Sequence, residues 1–244
     1  MRYLIVGANN GLGYDLCKDL CREKNNKVFS ISRELSENLN KIVSADSFFR
    51  LDFNDLDKLN SNDLSFWITN VVKPDVVVHC SGGGLGLKSP NLSYENAKTL
   101  INVNLLGSLS INFTLLPFFE HKKRGTIIHI GSTAATHAIG SVGYNMSKAA
   151  LNAYVRSAGN YFVKSNVLIC GINPGAFHAS RNAMERLKTN NPVQYELFLN
   201  QRIPRKEMMS SSEIISVIKF IAQSGSLALA GSMIPLDIGE SLSY

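Results

Sequence analysis

The first residues of the chain combine a short apolar segment, a glycine-rich turn and the start of an amphipathic helix. The apolar residues 3–6 lead into a turn whose glycines are Gly7, Gly11 and Gly13. Glycine permits tight turns and close approach of the backbone to a ligand, and a helix N-terminus presents free N–H groups. The combination predicts a phosphate-binding turn at the edge of a parallel sheet, and a glycine-rich turn without a ligand is the alternative.

Strand and helix patterns alternate along the remainder of the chain. Further strands are predicted at residues 27–31, 48–51, 75–80, 126–130, 166–172 and 233–236, with helices at residues 55–72, 95–119, 144–163 and 212–223. This alternation is typical of a parallel sheet with helices on both faces. The sequence therefore predicts an α/β fold, a doubly wound parallel sheet of about seven strands (Rossmann fold). Without repeats or linker-like stretches, residues 1–244 are predicted to form a single domain.

Composition excludes several other classes of protein. With 45% hydrophobic and 18% charged residues, the chain can bury a sizeable core and is not disordered. The net charge of +6 is spread along the chain without interleaved aromatic residues, so we predict an anionic ligand and no nucleic acid. We expect a cytoplasmic protein without membrane contact, because a signal segment is absent and the apolar runs are short.

The four cysteines give no strong indication of a metal site. Cys17 and Cys21 could share a helix face as metal ligands, but packing as small buried hydrophobic residues is the preferred interpretation. We therefore predict reduced thiols and no bound metal.

Tyr144 and Lys148 lie four residues apart, which places them one turn apart on one face of a helix. An ammonium group beside a phenol stabilises the phenolate, so the pKa of Tyr144 is predicted to fall below its usual value of about 10. Such a tyrosine can donate a proton to a carbonyl oxygen or accept one from an alcohol. The alternative is an exposed polar helix face.

Other chemically useful residues follow the predicted strands, where a parallel sheet binds its ligands. These residues are Gly7, Asp52, Ser81, Ser132 and Pro174. Together with Asn104 and the Tyr144–Lys148 pair, they resemble the short-chain dehydrogenase/reductase family, in its compact one-domain branch, over essentially the whole chain. The resemblance implies an NAD(P)(H)-dependent oxidoreductase that interconverts a ketone and a secondary alcohol by hydride transfer.

The resemblance also implies roles for four catalytic residues. Tyr144 would be the general acid/base, and Lys148 would lower its pKa and hold the nicotinamide ribose. Ser132 would hydrogen-bond the substrate oxygen as charge develops on it, and Asn104 would hold a water that links Lys148 to solvent. The alternatives are that Ser132 caps a turn and that Asn104 is a helix-interior asparagine that hydrogen-bonds the backbone.

For the cofactor, the resemblance implies contacts from Gly7, Asn9, Asn10, Gly11, Leu12, Gly13, Ser32, Arg33, Asp52, Ser81, Gly82, Tyr144, Lys148, Pro174 and Gly175. We predict NADP(H) over NAD(H), because the second strand ends without an acidic residue at the ribose position and Arg33 suits a phosphate. Arg33 as a surface charge is the alternative. Asn10, where many NADP-preferring members have a basic residue, argues in the other direction.

The chain departs from the family pattern at several places. His79 and Cys80 replace the usual two asparagines and are either ligands or redox groups or, as we prefer, a packed pair at the strand end. The segment 133–143 is one residue shorter than usual, and its His137 either lines the pocket or lies on the surface. After the Pro-Gly turn, Ala179 replaces a threonine that usually contacts the nicotinamide, so Ser180 or the backbone would substitute.

Residues 176–206 are predicted to form the substrate loop and lid, with His178 as a further substrate contact. Its basic residues outnumber its acidic ones, which favours a polar or anionic carbonyl substrate such as a sugar derivative or a carrier-linked acyl group. The alternative is a solvated amphipathic helix with Met184, Leu187 and Phe198 inward.

Two other functions stay open, a 3-oxoacyl-carrier-protein reductase and a non-catalytic NADP-binding regulatory or scaffold protein. By resemblance, we expect a homodimer or homotetramer formed through the helices that carry Asn104 and Tyr144.

Overall fold

Seven parallel strands form the central sheet, and two short strands form a second, smaller sheet. The computed structural model describes residues 1–59 and 61–241. In chain order the strands are β1 (Arg2–Val6), β2 (Lys27–Ser32), β3 (Phe48–Arg50), β4 (Val76–His79), β5 (Gly125–Ile130), β6 (Val167–Pro174), β7 (Phe177–His178), β8 (Met209–Ser210) and β9 (Met233–Leu236). The central sheet has the order β3-β2-β1-β4-β5-β6-β9, and β7 pairs with β8. The predicted doubly wound fold in a single domain is confirmed.

Helices cover both faces of the sheet. They are α1 (Gly11–Leu20), α2 (Glu37–Asn40), α3 (Leu56–Leu59), α4 (Asn62–Phe66), α5 (Tyr94–Ile101), α6 (Gly107–Lys122), α7 (Val142–Phe162), α8 (Ala183–Asn190), α9 (Pro192–Arg202) and α10 (Ser211–Ser224). A π-helical segment, Trp67–Val72, continues α4, and another, Asn102–Leu106, joins α5 to α6.

One predicted helix is wrong as a single element. The structure divides residues 55–72 into α3, α4 and the π-helical segment. The Ser61 side chain accepts a hydrogen bond from the backbone N–H of Leu64 and so starts α4 as a new helix. Residue 60 of that predicted helix and residues 242–244 of the predicted domain lie outside the described residues.

The core consists of two apolar layers, one on each face of the sheet. Successive side chains of a strand point to opposite faces, so the neighbours Leu4 and Ile5 are buried in different layers. The layer around Ile5 includes α1 and α10, and the layer around Leu4 includes α6 and α7. Burial of this kind stabilises the fold by roughly 1.5–3 kcal/mol for each large aliphatic side chain. It leaves the carboxyl ends of the strands free to form a site.

The continuous helix over residues 94–122 is long and apolar enough to cross a membrane by length and composition alone. Half of its most apolar window is buried inside the protein, however. Leu100, Ile111, Leu115 and Phe119 are fully buried, as expected for a helix that packs on the sheet.

Residues 176–206 carry a third, smaller apolar cluster. Met184, Leu187 and Phe198 pack against Tyr195 and Leu199 of the same segment. These three side chains face inward, as the alternative interpretation expects, but the segment forms two helices, α8 and α9, rather than one. Its role as the substrate lid stays a prediction.

Candidate active site

The first two turns of α7 place Tyr144 and Lys148 beneath the end of β5. The ammonium of Lys148 is buried and donates a hydrogen bond to the carbonyl oxygen of Ile130, at 2.8 Å. It also lies 5.9 Å from the centre of the Tyr144 ring. Burial lowers the pKa of Lys148 to about 8, so the side chain is mostly protonated at neutral pH.

The predicted fall in the pKa of Tyr144 is wrong in this structure. Burial raises the pKa of the phenol because desolvation disfavours the phenolate, and a hydrogen bond with Ser132 lowers it by a smaller amount. Sequence spacing correctly placed a cation near the tyrosine, but it could not weigh that charge against desolvation.

Ser132 at the end of β5 makes hydrogen bonds in two directions. Its Oγ accepts from the backbone N–H of Ala134 at 3.1 Å and so caps a short 3-10 turn. Its own N–H donates to Oδ1 of Asn173 at 3.0 Å. These bonds fix the hydroxyl beside Tyr144. Ser132 therefore caps a turn, as the alternative expects, and its hydroxyl also lies where it could act in catalysis.

Asn104 lies in the π-helical segment Asn102–Leu106 and is almost fully buried. Its side chain accepts a hydrogen bond from the N–H of Gly83 at 2.8 Å and donates to the carbonyl oxygens of Gly83 and Leu100. All of these partners are backbone groups, so the side chain of Asn104 bonds the backbone, as the alternative interpretation expects. A Cβ atom at Gly82 would lie 2.7 Å from Asn104 Oδ1 and 3.0 Å from Lys148 Nζ, so these two side chains converge on one glycine.

The glycine turn is fixed by close backbone packing. A Cβ atom at Gly13 would overlap the carbonyl oxygen of Gly7, and one at Gly7 would lie 2.6 Å from the backbone nitrogen of Ser81. Gly11 has a φ of +61°, in the left-handed region that favours glycine, and faces open space. The turn therefore has the close packing and the open side that a bound pyrophosphate requires.

A cavity of about 880 Å³ opens beside this turn. Its lining includes Gly7, Asn9, Asn10, Ser32, Arg33, Asp52, Ser81 and Gly82 among the predicted cofactor residues. Leu12 and Gly13 are buried in α1, while Gly11, Tyr144, Lys148, Pro174 and Gly175 lie outside the lining. The structure thus brings the predicted adenosine and phosphate contacts together in one cavity.

Sequence reasoning missed three charged residues in this cavity, Glu34, Arg50 and Lys58. Oε1 of Glu34 accepts a hydrogen bond from Nδ2 of Asn9 at 2.8 Å, and Arg50 donates to the carbonyl oxygen of Arg33 at 3.0 Å. Glu34 comes two residues after the end of β2, so the rule for an acidic ribose contact could have found it. Arg50 ends β3 and had no comparable signal.

The predicted substrate contacts are held within their own segments. The His137 ring lies 3.0 Å from Thr136 Oγ1 and bonds back within its turn, and Nε2 of His178 lies 2.7 Å from the hydroxyl of Tyr195. The hydroxyl of Ser180, considered as a substitute nicotinamide contact, donates instead to Asp15.

His79 belongs to a buried polar cluster with His129. The two rings stack at 4.5 Å, and Asn112 bridges them, accepting from Nε2 of His79 at 2.8 Å and donating to Nε2 of His129 at 3.1 Å. Burial lowers the pKa of His79 to about 4 and that of His129 well below its usual range, so both rings are neutral. Burial also raises the pKa of the neighbouring Cys80 to about 12, which keeps its thiol protonated. The preferred interpretation of His79 and Cys80 as a packed strand-end pair agrees with this arrangement.

Comparison with known proteins identifies the family. The family model for short chain dehydrogenases matches residues 2–191. The 3-oxoacyl-[acyl-carrier-protein] reductase MabA of Mycobacterium tuberculosis is 24% identical over 245 residues, covering 99% of this chain and 93% of that protein. The NADP-dependent 3-hydroxy acid dehydrogenase of Schizosaccharomyces pombe is 26% identical over 182 residues, covering 70% of each chain. The structure of 4-hydroxyisoleucine dehydrogenase complexed with NADH superimposes with a TM-score of 0.85 over 99% of both chains at 20% identity.

The chain therefore belongs to the short-chain dehydrogenase/reductase family of oxidoreductases. The resemblance drawn from its motifs is confirmed.

Proposed function

We propose that this chain reduces a ketone to a secondary alcohol, or oxidises the alcohol, with Tyr144 as the general acid/base. The observation that carries the proposal is the buried ammonium of Lys148, which is held by the carbonyl oxygen of Ile130 at 2.8 Å and lies 5.9 Å from the Tyr144 ring. The Ser132 hydroxyl lies next to the phenol and lowers its pKa. A nicotinamide cofactor, when bound, supplies or accepts the hydride.

In this proposal each residue acts on the substrate oxygen or on the proton. Tyr144 donates a proton to the oxygen in the direction of reduction, while the Ser132 hydroxyl hydrogen-bonds that oxygen as negative charge develops. Lys148 keeps its positive charge up to about pH 8 and favours the phenolate that remains. Asn104 holds the 82–83 turn against the ammonium and so keeps the site's geometry.

The residues of the cavity fit a dinucleotide, and we infer that NADP(H) is preferred over NAD(H). The packed glycine turn would hold the pyrophosphate at the start of α1. Arg33 and Arg50 lie together in the cavity, and two guanidinium groups suit a 2′-phosphate. The carboxylate of Glu34 in the same cavity argues in the other direction, because it suits the ribose hydroxyls of NAD(H). A preference for NAD(H) of more than tenfold in kcat/KM would contradict this part of the proposal.

The substrate that we infer is a polar or anionic carbonyl compound, such as a sugar derivative or an oxo acid. The dehydrogenases named for a 3-hydroxy acid and for 4-hydroxyisoleucine support a polar substrate. The basic residues of the lid give weaker support for an anionic substrate, because Arg202 and Arg205 already pair with Glu240 and Glu213.

A 3-oxoacyl-carrier-protein reductase is the second candidate function. The observation that favours it is the match to MabA along nearly the whole chain. Activity on acetoacetyl thioesters would distinguish it from a reductase of free polar ketones.

We further propose that the chain is a cytoplasmic homodimer or homotetramer that associates through α6 and α7. Phe113 is 83% exposed, and Leu106, seven residues earlier on the same helical face, is also exposed. Val142 and Met146 of α7 are exposed apolar residues as well. Sedimentation of the wild type and of Phe113→Asp would test this, because the variant should dissociate.

The activity itself is tested by following NADPH and NADH oxidation over a panel of neutral ketones, oxo acids, ketoses and acetoacetyl thioesters. We expect turnover of a polar or anionic member, with Ser132→Ala slowed by about 10²–10³-fold. Binding of NADPH or NADH without oxidation by any member of the panel would favour the non-catalytic NADP-binding alternative. Faster turnover of neutral ketones would contradict the substrate class.

A further inference from the structure

Asp15, on the second turn of α1, has a carboxylate that receives hydrogen bonds from two distant segments. The backbone N–H and the hydroxyl of Ser180, at the start of the lid, donate to it at 3.1 and 2.5 Å. The hydroxyl of Ser211, the first residue of α10, donates to it at 2.7 Å. One carboxylate therefore joins the helix of the phosphate-binding turn, the lid and α10.

The same lid residue also contacts the glycine turn. The carbonyl oxygen of Ser180 accepts a hydrogen bond from the backbone N–H of Gly11 at 2.7 Å. Gly11 begins α1, and the N–H groups of a first helical turn lack acceptors within the helix. Through Asp15 on one side and Gly11 on the other, Ser180 is fixed across the mouth of the proposed pyrophosphate site.

We propose that Asp15 is a positioning residue that holds the start of the lid across the glycine turn and thereby slows release of the cofactor. The second half of this proposal rests on the proposed cofactor site, and the first half does not. Hydrogen bonds to a carboxylate are stronger than those between neutral groups, so removing this acceptor is expected to release the lid.

The chain offers a matched control on the same helix. Asp19 lies one turn after Asp15 and also joins α1 to α10, through an ion pair with Lys219 at 3.0 Å. Among the residues that the structure describes, Asp19 makes no hydrogen bond to the lid. If Asp15 only linked the two helices, Asp15→Ala and Asp19→Ala would have similar effects.

The lid itself is probed by limited trypsin digestion, because Arg181, Arg186 and Lys188 are exposed just after Ser180. We expect cleavage at these sites to be about tenfold faster in Asp15→Ala than in the wild type and in Asp19→Ala. Ser180→Ala should be intermediate, because its backbone N–H still donates to Asp15. Equal cleavage rates in Asp15→Ala and Asp19→Ala, at equal thermal stability, would overturn the proposal.

Cofactor retention is measured separately, from the fluorescence of bound NADPH in equilibrium and displacement experiments. We expect release from Asp15→Ala to be about tenfold faster, with Asp15→Asn partly restored because an amide oxygen can accept one of the two bonds from Ser180. Tighter binding by Asp15→Ala would mean that the carboxylate acts only by repelling the phosphates, and would overturn this half. If the wild type binds neither NADPH nor NADH, the proposed function fails, while the trypsin comparison still decides the position of the lid.

Discussion

The glycine turn and the predicted lid, residues 176–206, meet at the hydrogen bond from Gly11 to Ser180, but they are held in different ways. The turn is fixed by backbone packing, with Gly13 so close to Gly7 that a side chain does not fit. The lid is held by carboxylates from other parts of the chain. Oε2 of Glu240 accepts the N–H of Ala176 at 2.6 Å, and Asp15 accepts from Ser180.

This difference explains why the conformation of the glycine turn is determined by neighbouring residues in the sequence, whereas that of the lid is not. The glycine turn and its supporting strand lie within the first 13 residues. In contrast, Ser180 and Asp15 are 165 residues apart, and Ala176 and Glu240 are 64 apart. Lid segments that rest on a few side-chain bonds also belong to the less stable parts of a fold.

The largest effect is expected at the backbone-packed region. Gly13→Ala should destabilise the protein by about 3 kcal/mol and abolish cofactor binding, because its Cβ would overlap the Gly7 carbonyl oxygen. Gly11→Ala, with open space but a φ of +61°, should cost only about 1 kcal/mol. Urea unfolding of both variants checks this, and equal losses would show that the overlap at Gly13 costs no more than the backbone strain at Gly11.

A second prediction concerns the buried histidines beneath this region, where a side-chain cluster supports the sheet. Unfolded histidine takes up a proton near pH 6.5, whereas folded His79, with a pKa of about 4, does not. Stability present above pH 6.5 is therefore lost as the pH falls toward 4, by about 3 kcal/mol for this group.

His79→Asn removes that titrating group, so its free energy of unfolding should fall less between pH 6.5 and 4 than that of the wild type. His121→Asn, at the exposed end of α6, is the matched control. Parallel pH profiles for His79→Asn and the wild type would show that His79 does not resist protonation in the folded protein.

A third prediction tests the side-chain anchors of the lid. Arg202 pairs at 2.5 Å with Glu240, whose side chain is only 3% exposed. Arg202→Ala leaves that carboxylate buried without its cation and should cost about 2 kcal/mol. Thermal unfolding measures the loss, and faster trypsin cleavage in residues 181–188 should accompany it. A stable variant with a protected lid would contradict an anchoring role for Glu240.

The smallest effect is expected for Arg205→Ala, three residues further along the lid. Arg205 pairs with Glu213 at 3.1 Å, but both side chains are about 40% exposed. Water solvates either charge when the other is removed, so the midpoint of thermal unfolding should stay within experimental error. A loss of stability as large as that of Arg202→Ala would mean that the burial of Glu240 does not make its ion pair stronger than the exposed one.

Much of the fold and of the cofactor side was predictable, because strand patterns and the glycine turn depend on neighbouring residues. The lid contacts of Asp15 and Glu240 were not, since nothing near either residue indicates a partner so far along the chain. The pKa of Tyr144 was predicted wrongly for another reason. Spacing shows that Lys148 is near the phenol, but only the folded structure shows that burial raises the pKa of the phenol. The contacts of His178 and Ser180 were likewise decided by tertiary packing.

The kcat of Tyr144→Phe, at saturating NADPH and with the best ketone of the panel, tests the central claim most directly. Phenylalanine keeps the ring and removes only the hydroxyl that would donate the proton. We predict a kcat lower by about 10²–10⁴-fold, with the dissociation constant for NADPH within about threefold of the wild type. A kcat equal to that of the wild type would show that Tyr144 is not the proton donor.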